Sequence, residues 1–174
     1  MKNKLVSIAL VALSVGLGSA AWYFTRPAVY ALPSWQGVSL TGQTLRLPDN
    51  KNKLTLVNFW STSCTGCIAE MPTLKKAYQT QHANGLEIIA VSMAYDHPNF
   101  VSAFTQQQQL PFPVVLDSLV DVNQSETEGK HAQHFGGVLA TPTTFVLNNK
   151  GQVVQQFIGE IHPEELDKLL KEYL

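Results

Sequence analysis

The chain has only two cysteines, and they stand three apart in Cys64-Thr65-Gly66-Cys67. They lie between an apolar strand-like run, Leu54 to Trp60, and a helix-like stretch from Ile68 to about Gln81. No other segment constrains the fold as much. The polar turn Asp49 to Lys53 bounds the apolar run and predicts a buried strand. Ile68, Met71, Leu74 and Tyr78 recur at helical spacing and predict a helix from Cys64 to about Gln81. A helix N-terminus carries unpaired N–H groups and a partial positive charge, which favour thiolate over thiol at Cys64. Cys67 lies one turn further in, placed to close a short disulfide and displace a partner. The chemistry implied is thiol–disulfide exchange.

A lone cysteine pair has other uses. It can be half of a zinc site, for which the pair His131/His134 supplies two formal ligands. It can be a structural disulfide, although a loop this short constrains the unfolded chain little. The strand before the pair and the helix after it favour redox work.

The N-terminus bears on the compartment. Lys2 and Lys4 precede twenty uncharged residues, Leu5 to Phe24, and Arg26-Pro27 ends the run. As a helix this run matches a hydrocarbon core of about 30 Å. The positive charge before it predicts residues 1–4 on the cytoplasmic side and the remainder outside. Trp22 and Tyr23 fall where an interfacial aromatic belt would lie. A cleaved signal peptide is the alternative, with small residues at Gly18-Ser19-Ala20 and Val29-Tyr30-Ala31. The length of the run favours an anchor, and both readings send the domain out of the cytoplasm. The expected organisation is therefore 1–4 cytoplasmic, 5–24 transmembrane, 25–34 linker and 35–174 a single domain. Beyond Arg26, nine bases face all thirteen acids, a net charge of −4 with histidine neutral. That balance argues against a nucleic-acid partner or an anionic membrane surface. In an oxidising compartment a lone dithiol needs an electron donor to stay reduced.

Along the domain, Trp35 to Leu47 predicts a hairpin turning near Thr41-Gly42. Leu86 to Met93 predicts a second apolar strand, His97 to Gln109 a helix with Pro98 in its first turn, and Pro113 to Leu116 a short strand. Asp117 to Gly129 is polar and predicts a loop; Lys130 to Phe135 predicts a short helix. Thr143 to Leu147 and Gln152 to Ile158 predict a hairpin across Asn148-Asn149-Lys150-Gly151, and Pro163 to Tyr173 a closing helix. Pro72 falls inside the first helix and predicts a kink. The expected class is α/β, a mixed central sheet with helices on both faces.

Two motifs carry a family resemblance over about residues 35–174. One is Val57-Asn-Phe-Trp-Ser-Thr-Ser-Cys64-Thr-Gly-Cys67-Ile-Ala-Glu70-Met-Pro72; the other is Ala140-Thr141-Pro142-Thr143-Thr144-Phe145 before the Asn-Asn-Lys-Gly turn. In this order and separation they resemble thioredoxin-like proteins, most closely the membrane-anchored extracytoplasmic thiol–disulfide oxidoreductases of the TlpA/ResA type. The resemblance implies Cys64 as the exposed attacking thiolate and Cys67 as the buried resolving thiol. It implies a cis Thr141-Pro142 peptide facing the cysteines, with the Thr141 backbone open to an extended substrate strand. It also implies Glu70 as a buried carboxylate that takes the proton from Cys67. Asn58 stands where thioredoxins carry an aspartate, and an amide cannot accept that proton. The expected activity is protein-disulfide reduction, with apocytochrome c thiols or copper-site cysteines as substrates and a membrane thiol donor as electron source. No cofactor or metal is implied.

Three departures from the family pattern stand out: Ser63 in place of a common tryptophan, Thr65-Gly66 in place of a proline-containing pair, and a longer loop over Ser118 to Gly129. The Thr65-Gly66 pair leaves the redox potential open. A disulfide oxidant would use the same cysteines. A thioredoxin-fold copper chaperone would space them by three residues rather than two, and a thiol peroxidase would use a lone cysteine. Tyr95 and Asp96 follow the second strand, where a lone polar residue is more often a cap than a catalyst, and the pair His131/His134 is given no catalytic role.

Overall fold

The computed structural model describes residues 29–117 and 129–174. The expected membrane span over 5–24, the first part of the 25–34 linker and the 118–128 loop lie outside those residues.

Leu54–Trp60 (β4) is buried at all seven positions because it lies in the middle of a six-stranded sheet. It pairs in parallel with β5 (Leu86–Ser92), which pairs in parallel with β6 (Val114–Leu116). On its other side it pairs antiparallel with β7 (Thr143–Asn148), which turns at Gly151 into β8 (Gln152–Ile158). Gly151 has φ 73°, and glycine takes that left-handed backbone without the usual steric cost. A small hairpin, β2 (Trp35–Val38) with β3 (Thr44–Leu47), stands apart from the sheet, and Leu40 N–H reaches the Val114 carbonyl at 2.8 Å.

Alternation along the strands separates two cores. Leu54, Leu56 and Trp60 point one way with Leu86, Ile88 and Ala90, against helix α1 (Thr65–Gln81), α2 (Pro98–Gln107) and α4 (Pro163–Tyr173). Val57, Phe59, Ile89 and Val91 point the other way, against Trp35, Leu45 and Leu47 of the hairpin and Ala132 of α3 (Lys130–His134). Helices do lie on both faces, but among the described residues the second face holds a single five-residue helix, and the hairpin covers the rest.

One local reading is revised. Tyr30–Ala31, read as linker, forms a short strand (β1) that pairs with Val153 and Gln152 and extends the open edge of β8. The neighbouring segment is also fastened down: Leu32 N–H bonds the Gly151 carbonyl at 3.3 Å, and the Pro33 carbonyl meets His134 Nε2 at 3.1 Å. The first helix begins at Thr65 with Cys64 as its N-cap, within one residue of the expected start. Pro72 lies inside α1, and its missing N–H deprives the Ile68 carbonyl of its usual helical donor.

Candidate active site

The site begins where β4 ends. Cys64 is half-buried with an extended backbone, φ −90° and ψ 106°, as an N-cap requires. Its Sγ accepts the Cys67 N–H at 3.1 Å, and its carbonyl accepts the Ile68 N–H at 3.1 Å. The sulfur thus takes the capping place that a serine or aspartate oxygen usually fills. Cys67, one turn inside, is fully buried, and the two are joined as a disulfide with sulfurs 2.11 Å apart.

The loop before Cys64 is held by Asp96, which by sequence reads as a strand-end cap. Asp96 accepts the Thr62 N–H at 2.5 Å and the Thr62 hydroxyl at 2.7 Å, one carboxylate oxygen to each. It lies in the turn after β5, where Met93 N–H also bonds the Trp60 carbonyl at 2.9 Å. A strand-end cap is thus a clamp on the approach to the first cysteine. Tyr95 beside it is exposed.

Glu70 follows Cys67 by three residues, on the same face of α1, and is only 2 % exposed. One carboxylate oxygen accepts from Asn58 Nδ2 at 2.7 Å, and the other from the Ile161 N–H at 3.0 Å. Asn58 points at α1 because it shares the strand face of Leu56 and Trp60. Its amide also donates to Thr144, its cross-strand partner on β7, at 2.9 Å. Burial is the dominant influence on Glu70 and pushes its pKa up to about 7; the bonds from Ile161 and Asn58 pull it down, and the negative charge of Glu160 adds a smaller upward push. Among the described residues the buried side-chain carbonyl of Asn58 has no hydrogen-bond partner. Asn58 therefore serves as a donor that orients Glu70.

Thr141-Pro142 is cis, as the resemblance implied. Thr143 pairs with Phe59 on one side and Ile158 on the other, so β7 enters the sheet at the end where β4 leaves it for the cysteines. The Pro142 carbonyl accepts the Gly159 N–H at 2.8 Å. Among the described residues the Thr141 backbone makes no backbone hydrogen bond. Leu139, two residues earlier, is 99 % exposed, and Ile158 is 73 % exposed. Cys64, Cys67, Glu70, Thr141 and Pro142 thus gather at one end of the sheet.

The two histidines of the zinc alternative lie elsewhere. His131 Nδ1 accepts the Trp35 indole N–H at 3.0 Å, within the core on the opposite sheet face from Cys67. His134 lies against Phe135 and the Pro33 carbonyl.

By sequence Asp96 reads only as a strand-end cap and Thr144 only as part of the second motif, and neither Glu160 nor the Ile161 backbone N–H is marked at all. For Asp96 the available signal was an acid in the turn right after a strand that neighbours β4. Ile161 contributes a main-chain group, which no side-chain pattern marks.

Comparison with known proteins agrees with this geometry. The Redoxin family profile matches residues 27–171. Thiol-disulfide oxidoreductase ResA of Bacillus thuringiensis subsp. konkukian is 30 % identical over 178 residues, covering 98 % of this chain and 96 % of that protein. The ResA of Bacillus anthracis is 34 % identical over 139 residues, 80 % of this chain and 74 % of that protein. The crystal structure of StoA from Bacillus subtilis superposes with a TM-score of 0.62 at 25 % identity, over 82 % of this chain and 96 % of StoA. A thioredoxin-family thiol:disulfide interchange protein from Chlorobium tepidum shares the fold, with a TM-score of 0.71 at 21 % identity over 86 % of this chain and 99 % of that one. The chain belongs to the Redoxin family, as a thioredoxin-like thiol–disulfide oxidoreductase of the ResA type.

Proposed function

We propose that the chain works as an extracytoplasmic protein-disulfide reductase. The Cys64 thiolate attacks a sulfur of a substrate disulfide, forming a Cys64–substrate mixed disulfide and releasing one substrate thiolate. Cys67 gives its proton to the Glu70 carboxylate and attacks Cys64 Sγ. The Cys64–Cys67 disulfide forms and the second substrate sulfur leaves. Two electrons pass from the dithiol to the substrate, and the released thiolates take up protons from Glu70 and water. A membrane thiol donor then reduces the pair by the reverse exchange.

The observation that carries this reading is Glu70, buried one turn from the buried thiol with a pKa of about 7. A carboxylate so poised exchanges protons near neutral pH, as a general base for a buried thiol must. It also disfavours negative charge on the dithiol, whereas strong oxidants owe their potential to a stabilised reduced form. Substrate would lie along the open Thr141 backbone beside the cis Pro142, with the exposed Leu139 and Ile158 in reach of apolar flanking residues. The uncharged run over Leu5 to Phe24 supports an anchor with the domain outside the cytoplasm.

The reduction potential of the domain against glutathione tests the direction. A value well below that of glutathione supports a reductase. One near about −120 mV, where strong oxidants lie, would assign the same cysteines to disulfide formation.

A further inference from the structure

Gly66 stands between the two cysteines with the backbone of an ordinary right-handed helix. Conformation does not call for glycine there. Its hydrogen leaves room for Glu160: a Cβ on Gly66 would come within 2.8 Å of Glu160 Oε1 and 3.1 Å of its Cγ, so the flexible Glu160 side chain would have to move aside. Glu160 reaches this spot from the connection between β8 and α4, next to the Ile161 N–H that binds Glu70. The first turn of α1 has no acid of its own, and Glu160 makes no salt bridge among the described residues. Its charge is therefore not neutralised by a neighbouring cation, and it faces the same helix N-terminus that would stabilise a Cys64 thiolate.

We propose that Gly66 exists to seat the Glu160 carboxylate against the redox pair, and that Glu160 sets the pair toward reduction by disfavouring the Cys64 thiolate. The other acids facing this region are Glu70, on the Cys67 side of α1, and Asp96, bonded to Thr62 in the loop before Cys64. Glu160 is the one that lies against Gly66, between the two cysteines. It is exposed, so water and salt weaken its field. A unit charge several ångströms away through a largely aqueous medium still shifts a thiol titration by about half a pH unit.

The inference uses the dithiol chemistry of the proposed function but not its direction. The test is the pH dependence of Cys64 alkylation in the reduced full chain. Glu160→Gln should lower the apparent thiol pKa by about half a unit, roughly threefold more thiolate below the pKa. Gly66→Ala should do the same by displacing Glu160, and the double variant should go no further than either single one. Glu164→Gln, which removes an acid from the first turn of α4, should leave the titration in place. High salt should narrow the gap between Glu160→Gln and the wild type. An unchanged titration in Glu160→Gln, or additive effects of the two substitutions, would overturn the proposal. A strongly oxidising potential with these shifts present would overturn only the reductase direction.

Discussion

The two faces of β4 are built from the same seven residues and do opposite things. On the hairpin face, Phe59 packs edge-on against Phe135 and Phe145, with ring centres 5.3 and 5.9 Å apart, and Trp35 closes the cluster against Phe135. The polar groups on this face lie around the cluster: Thr55 on β4 itself, the Trp35–His131 bond, and Asp117, which accepts the His131 and Ala132 N–H groups at 2.7 and 3.1 Å. On the α1 face, one residue over, Asn58, Thr144 and Glu70 sit buried among apolar side chains, and among the described residues the Asn58 carbonyl has no hydrogen-bond partner. An unsatisfied buried acceptor costs about 1–3 kcal/mol, and a buried carboxylate costs more when ionised. The first face holds the fold. The second tolerates instability where the proton must be handled.

If that division is right, truncation on the hairpin face costs stability and leaves the chemistry alone. Phe135→Ala, which empties the centre of the aromatic cluster, should lose about 3–5 kcal/mol in denaturant unfolding. The Glu70 titration should stay near 7. A shift in that titration would join the two faces.

Glu70→Gln should act in the opposite sense. The folded pKa of about 7 lies above the ordinary 4.5, so the folded state holds its proton more tightly than the unfolded chain. This contribution to stability is fully present below about 4.5 and lost as pH rises through 7. The variant should match the wild type near pH 4 and exceed it by on the order of 3 kcal/mol above pH 8. It should also slow resolution of the mixed disulfide. Equal stability of the two proteins at both pH values would contradict the cost assigned to this face.

The clamp is expected to have an intermediate effect. Asp96→Ala removes both bonds to Thr62 and should cost about 1–3 kcal/mol. Attack by Cys64 should slow while the Glu70 titration stays in place, separating positioning of the first cysteine from proton transfer at the second.

The smallest effect belongs to His131 on the stable face. Burial lowers its pKa, and its Nδ1 must be free of a proton to accept the Trp35 N–H. The unfolded chain binds that proton more readily, so stability falls as pH drops from about 6.5 through the lowered folded value. His131→Gln should flatten this acid limb, and an unaltered limb would remove His131 as its cause.

Much of this was legible before the structure. The continuous apolar run of β4 marked a central strand, and Cys64-Thr-Gly-Cys67 at the head of α1 marked the chemistry. Glu70 and Pro142 followed from the two motifs. The remainder depends on contacts between distant segments. Tyr30–Ala31 becomes a strand only because β8 offers an open edge. Glu160 lies ninety-four residues from Gly66, and no local pattern ties an acid after β8 to a glycine in α1. The Ile161 bond to Glu70 is main-chain and carries no sequence signature. Gly66, read as an unusual choice, takes its meaning from a side chain that only the fold brings to it.

The most direct test of the contrast is the titration of the Glu70 carboxyl carbon, followed by NMR in the reduced protein. The midpoint should lie near 7, with the Asn58 side-chain amide resonances moving in step because they share the hydrogen bond. A midpoint near the ordinary 4.5 would show Glu70 solvated and charged throughout, and would remove it as the acceptor of the Cys67 proton.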